Sequence, residues 1–140
     1  MKVLVDTNVL LDVLGKREPF YAAAAELWSL AERREIRAFI SSVSFNNIYY
    51  IVRKAVNRAR ADKAIRILRD VFEPVAPDSQ IINQAIDMGL DDFDDAVQFC
   101  SAIRVKAVCL VTRDPRGFPK AGLSILSPEE FLVLWRNRKS

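Results

Sequence analysis

The sequence predicts an α/β domain, a three-layer α/β/α sandwich with a central, mainly parallel sheet. Short apolar, β-branched runs alternate with stretches of helical periodicity along the chain. The best strand, Ala107-Val108-Cys109-Leu110-Val111, is continuously apolar, as strands covered on both faces are. The 140 residues, 51% hydrophobic and 28% charged with only four Gly and six Pro, suit one domain over 1–140 without linker or low-complexity tract.

Met1 to Val5 reads as the first strand, halted by Asp6-Thr7-Asn8, after which Val9, Leu10, Val13 and Leu14 recur at helical spacing up to Gly15. Pro19 suits the first turn of a second helix with Ala23, Leu27, Leu30 and Ala31 as its buried stripe. Arg37 to Ile40 is the second strand, cut off by Ser41-Ser42. Ser44 is expected to cap a third helix carrying Phe45, Ile48, Tyr49 and Val52, and a fourth runs beyond Asn57 through Ile65, Leu68 and Phe72. A weak strand, Glu73 to Ala76, lies beside two prolines. Asp78 caps a fifth helix with Ile81, Ile82, Ala85 and Ile86, which Gly89 closes. The sixth helix begins near Asp91 or Asp92, with Phe93, Ala96, Val97, Cys100 and Ile103 along one face. After Ala107–Val111 comes a short strand, Leu123 to Leu126, then Ser127-Pro128-Glu129-Glu130, which opens a final helix.

No apolar run approaches the roughly 20 residues of a membrane helix, and Asp6 and Asp12 break an N-terminus that could imitate a signal peptide, so a soluble, cytoplasmic protein is expected. Cys100 and Cys109 fit neither a metal knuckle nor a disulfide framework and read as buried, reduced thiols. The chain contains no histidine. That excludes Ser-His-Asp and Cys-His triads, His-containing zinc sites and a His general base. The net charge of +3 conceals segregation: seven basic residues against one acid between Arg53 and Arg69, and five acids with no base between Asp87 and Asp95.

Sites on such sheets form beyond the carboxyl ends of the strands. Every residue that stops a strand there is polar: Asp6 after the first, Ser41 and Ser42 after the second, Thr112 and Asp114 after Val111. Asn47 falls in the first turns of the helix leaving strand two, and Asp92 and Asp95 share a face where the sixth helix begins. Topology therefore gathers Asp6, Asp92, Asp95 and Asp114, with Ser41, Asn47 and Thr112 beside them. Ionised carboxylates repel one another unless a cation lies between them. Oxygen ligands without histidine or thiolate favour Mg²⁺ or Mn²⁺, which implies phosphoryl chemistry. Ser41, Ser42 and Thr112 read as orienting hydroxyls, since no base lies near to make them nucleophiles. Asp91 and Asp94 read as solvated acids at a helix N-terminus. The basic run is either a solvated helical face or an electrostatic guide for a nucleic-acid backbone.

Val3-Leu4-Val5-Asp6-Thr7-Asn8, Asp92-Phe93-Asp94-Asp95-Ala96 and Leu110-Val111-Thr112-Arg113-Asp114, in this order and on these elements, resemble the motifs of PIN-domain ribonucleases. The resemblance covers the whole chain and is greatest to the VapC-type toxins of bacteria and archaea. It implies a PIN-like sandwich that cleaves RNA with Mg²⁺ or Mn²⁺, Asp6 as first metal ligand and Asp95 as the third acid. Asp92 is similar to an extra acid of one branch; Asp114 stands where Asn is frequent. Thr7, Asn8, Ser41, Ser42 and Thr112 are supporting residues, and Arg53, Lys54, Arg58 and Arg113 are expected to meet RNA. A homodimer restrained by a small antitoxin protein is also implied. Two positions depart from the pattern. Asn47 replaces a glutamate, supplying an amide oxygen without charge, and Gly117 precedes Phe118 where an acid is usual. The second function class is accordingly a PIN-like module that binds RNA or a protein partner without cutting. A phosphatase of the haloacid-dehalogenase kind ranks third, because its loop needs a second Asp where Asn8 stands.

Overall fold

The computed structural model describes residues 1–139. Its strands are β1 (Lys2–Val5), β2 (Arg37–Ser41), β3 (Glu73–Val75), β4 (Cys109–Val111) and β5 (Ser124–Leu126). Its helices are α1 (Thr7–Leu14), α2 (Tyr21–Glu32), α3 (Ser42–Ala55), α4 (Arg58–Val71), α5 (Ser79–Met88), α6 (Phe93–Arg104) and α7 (Pro128–Lys139). All strand pairings are parallel, in the order β3-β2-β1-β4-β5. The chain starts at the centre of the sheet, winds out to one edge, returns past β1 and winds out to the other. The reversal falls between β1 and β4, where a parallel sheet opens a crevice at its carboxyl ends.

The pleat sorts alternate residues into two cores. Val3, Val5, Ile40, Cys109 and Val111 pack with buried residues of α1, α2, α3, α4 and α7. Leu4, Phe39 and Leu110 pack on the other face with α5, α6 and Phe118. This is the expected three-layer sandwich, with the sheet parallel throughout. Fully enclosed side chains such as Leu4, Leu68, Ile81, Leu110 and Phe131 each contribute about 1.5 to 3 kcal/mol by leaving water. Trp28 meets Phe72 edge-to-face at 5.0 Å between ring centroids, tying α2 to the end of α4.

Helix starts follow local chemistry. Asn57 Oδ1 accepts from Arg60 N–H, Asp78 Oδ1 from Ile81 N–H, and Asp92 Oδ1 from Asp95 N–H. Ser127 and Glu130 form a reciprocal capping box. Gly89 ends α5 in the left-handed region at φ 65°.

Several expectations need correction. The cap of α3 is Ser41, whose hydroxyl accepts from Val43 N–H, because β2 passes directly into the helix; Ser44 is buried inside it. Pro19 precedes α2, which starts at Tyr21. β4 is shorter than the apolar run, and Val108 is 46% exposed because pairing with β5 begins only at Cys109. Phe93, Ile103 and Ile86 face solvent, whereas Phe99, outside the expected stripe, is buried. Both cysteines are free and buried, and burial pushes the Cys109 thiol up to about 12. Among the described residues no helix is long and apolar enough to cross a membrane.

Candidate active site

Asp6 ends β1 and is 6% exposed. A carboxylate so placed needs partners. Its Oδ1 accepts from Gln98 Nε2 at 2.9 Å and its Oδ2 from Thr112 Oγ1 at 2.8 Å, so α6 and β4 both fix its orientation. Each oxygen retains acceptor capacity beyond these bonds. Thr112 Oγ1 in turn accepts from Asp114 N–H, 3.2 Å. Thr7 and Ser44 share a hydroxyl hydrogen bond of 2.7 Å that joins α1 to α3, and Asn8 Oδ1 accepts from Arg113 N–H. Ser42 begins α3.

Asp95, in the first turn of α6, is half-buried beside this group. Burial, the dominant cause, and the charges of Asp92, Asp6, Asp94 and Asp114 push its carboxyl up to about 6. All four of those neighbouring charges are negative. Gly117 lies against it: a Cβ at that position would sit 2.8 Å from Asp95 Oδ2. The departure from an acid at position 117 thus has a steric meaning, because this loop passes where a side chain would displace Asp95.

The expected set of four carboxylates divides into two kinds. Among the described residues neither Asp6 nor Asp95 forms an ion pair, and the charge of Asp6 acts on Asp95. Asp92 spends an oxygen on the α6 cap, and Asp114 is drawn to Arg116, 2.9 Å, which holds its carboxyl below the usual range. Among the described residues no three of the His, Cys, Asp and Glu side chains are grouped tightly enough to hold a metal ion together. Two carboxylates with water and substrate oxygens nevertheless form a donor set that Mg²⁺ or Mn²⁺ accepts. Asp95, whose carboxyl resists ionisation because it is partly buried beside other acids, fits that group. An open groove of about 540 Å³, lined by residues 88 to 92 and 116 to 119, runs along the rim.

Asn47 does not reach Asp6 directly; it lines a small cavity with Ser44, Asp94 and Gln98. Arg53, Lys54 and Arg58 sit at the far end of the α3/α4 hairpin, with Arg53 about 16 Å along the helix axis from Ser42. The Arg113 guanidinium is engaged elsewhere: it stacks 4.3 Å from the Phe20 ring centroid and lies 3.5 Å from Asp12. Asp12 is 1% exposed, and burial pushes its carboxyl up against the pull of Arg113 and Arg17. The sequence reading used Asp12 only as a break in the apolar N-terminus and missed Gln98 altogether. Gln98 follows Asp95 by three positions on α6, and a polar residue within that apolar stripe was the available signal.

A family model described as PIN domain matches residues 2–116. No curated protein matches the chain. Among solved structures, it is similar to the DNA-bound VapBC of Salmonella typhimurium, TM-score 0.68 at 18% identity over 91% of this chain and 98% of that one. VapC20 of Mycobacterium tuberculosis, described as a sarcin-ricin loop cleaving toxin, gives 0.67 at 16% identity over 85% and 98%. VapBC2 of Rickettsia felis, bound to a fragment of its promoter, gives 0.67 at 19% over 91% and 98%. At these identities the likeness is one of fold.

Proposed function

Since this chain belongs to the PIN domain family, we propose that it is a metal-dependent endoribonuclease and the toxin of a type II toxin-antitoxin pair. The observation that carries this reading is the juxtaposition of Asp6, buried and held by two donors, with Asp95, which lies among acids and forms no ion pair among the described residues. Asp6 and Asp95 would hold Mg²⁺ or Mn²⁺, with Asp92 and Asp114 at the rim. When bound, such an ion lowers the pKa of an attacking water and offsets charge on the phosphate oxygens. Thr112 keeps Asp6 from rotating, and Gly117 lets the loop after β4 close on Asp95 without displacing it. Asp114, paired with Arg116, presents less net charge to an approaching phosphate than a lone carboxylate would.

The partner reading is supported by a second surface. An apolar groove of about 310 Å³ lies between α1, α3 and α4, with Leu11, Leu14, Ile51 and Val56 in its walls and Arg17, Arg60 and Lys63 at its rim. An antitoxin helix with acidic residues flanking an apolar stripe complements both features. One solved neighbour, from Klebsiella pneumoniae, is described as a toxin-antitoxin complex.

Asp6→Asn and Asp95→Asn are each expected to abolish Mn²⁺-supported cleavage of single-stranded RNA while the circular dichroism spectrum is retained. If the wild type leaves RNA whole across metals and salts, the module that binds without cutting replaces this reading. The lack of a three-acid group among the described residues is the observation that favours that alternative.

A further inference from the structure

A carboxylate only accepts hydrogen bonds, so the Gln98 amide must present its nitrogen to Asp6. Its oxygen is thereby forced to the other side. Gln98 is 6% exposed, and Oε1 is buried without a hydrogen-bonding partner in the protein. Gln98 also lines a cavity of about 10 Å³, shared with the polar Asn47, Asp94, Ser44, Ser41 and Thr7 and with the apolar Val43 and Val97. The volume admits one water molecule, and the lining is polar enough to hold it.

We propose that Gln98 is a positioning residue for Asp6, and that one buried water joins its Oε1 to Asn47. The water donates to Gln98 Oε1 and takes its remaining bonds from Asn47 and the neighbouring hydroxyls. Asn47 then acts on Asp6 through the water and Gln98, and is not itself a metal ligand. An amide suits this place because it can donate as well as accept, which an ionised carboxylate cannot. With Gln98 locked from behind, Asp6 meets a cation in one fixed orientation, the role that partners behind a metal ligand commonly fill. The functional consequence rests on the metal-site reading above; the water site does not.

The test joins a high-resolution crystal structure of the metal-free full chain to Mn²⁺ titration calorimetry on the wild type, Gln98→Met and Asn47→Leu. The proposal expects one water within hydrogen-bond distance of both Gln98 Oε1 and the Asn47 side chain. It expects Mn²⁺ affinity to fall about 10- to 100-fold in Gln98→Met, and by a smaller factor in Asn47→Leu, with thermal midpoints close to wild type. A dry cavity, a direct Asn47–Gln98 bond, or unchanged Mn²⁺ affinity in Gln98→Met overturns it. If Gln98→Met does not fold, the density decides. A wild type that takes up no Mn²⁺ removes the nuclease reading, and the density still decides the water site.

Discussion

At Asp95 function and stability pull in opposite directions. Its carboxyl titrates near 6 in the folded protein, against 3.8 for the free group. An acid whose folded pKa is raised destabilises the fold in its charged form, so stability is lost as pH rises from about 4 through about 6. Asp95→Asn removes that loss. Discounted for the solvent on its exposed side, the gain at pH 7 without divalent metal is about 1 kcal/mol, read as a higher midpoint in thermal denaturation. The same change is expected to be inactive, the pattern of a residue kept for chemistry at the expense of stability. A midpoint unchanged or lowered at pH 7 would contradict the uncompensated charge. Gly117→Ala probes the same carboxylate from the other side. The Cβ would meet Asp95 Oδ2 at 2.8 Å, and because that oxygen ends a rotatable side chain, the carboxylate swings away and little stability is lost. Expected outcomes are a thermal stability within about 0.5 kcal/mol of wild type and Mn²⁺ affinity about tenfold weaker by calorimetry. Gly117→Asp, which restores an acid to the position, should displace Asp95 in the same way and recover nothing.

The junction of α5 with α6 shows how elements are held in register away from the chemistry. Asp78 caps α5 and also receives Arg104, from the last turn of α6, at 2.8 Å; these bonds bring its carboxyl down to about 2. A depressed folded pKa contributes stability above about pH 4 that disappears as pH falls through about 2. Wild type should therefore melt above Asp78→Ala at neutral pH, and the two thermal midpoints should converge between pH 4 and pH 2. At this scale the sequence was most readable. The cap at Asp78, the helix boundary at Asn57, the glycine stop at Gly89 and the strand-helix alternation are local signals, and all appear. Ser44 was misread because two serines earlier in the chain compete for one cap, and only Thr7, 37 residues away, gives Ser44 its buried partner. Gln98 carried one local signal, a polar residue within an apolar stripe, but its partner lies 92 residues away and the stripe alone does not name it. The convergence of Asp6 with Asp95 was readable because parallel topology alone dictates it. The pairing of Asp114 with Arg116 depends on side-chain direction in a loop, which topology does not set.

Over the whole molecule charge is arranged as two opposed fields, an acidic crevice at the carboxyl end of the sheet and a basic α3/α4 hairpin. The chain leaves β2 at the acidic end and runs along α3 away from it, so Arg53, Lys54 and Arg58 fall at the remote tip, where all three are exposed. They cannot touch a phosphate at Asp6, so as a group they act on a longer strand or not at all. Counterion release separates these cases, since each phosphate neutralised on single-stranded RNA adds about 0.7 to the slope of log affinity against log salt. With cleavage blocked by Asp95→Asn, fluorescence anisotropy on an RNA of about 20 nucleotides would give that slope. Adding Arg53→Ala, Lys54→Ala and Arg58→Ala should lower it by about 2 if the hairpin tip carries the strand, and an RNA of two nucleotides, too short to span the distance, should show no difference. A slope unaltered with the long RNA would make the tip a solvated helical face, and would leave binding to the groove lined by residues 88 to 92 and 116 to 119, where Arg116 pairs with Asp114.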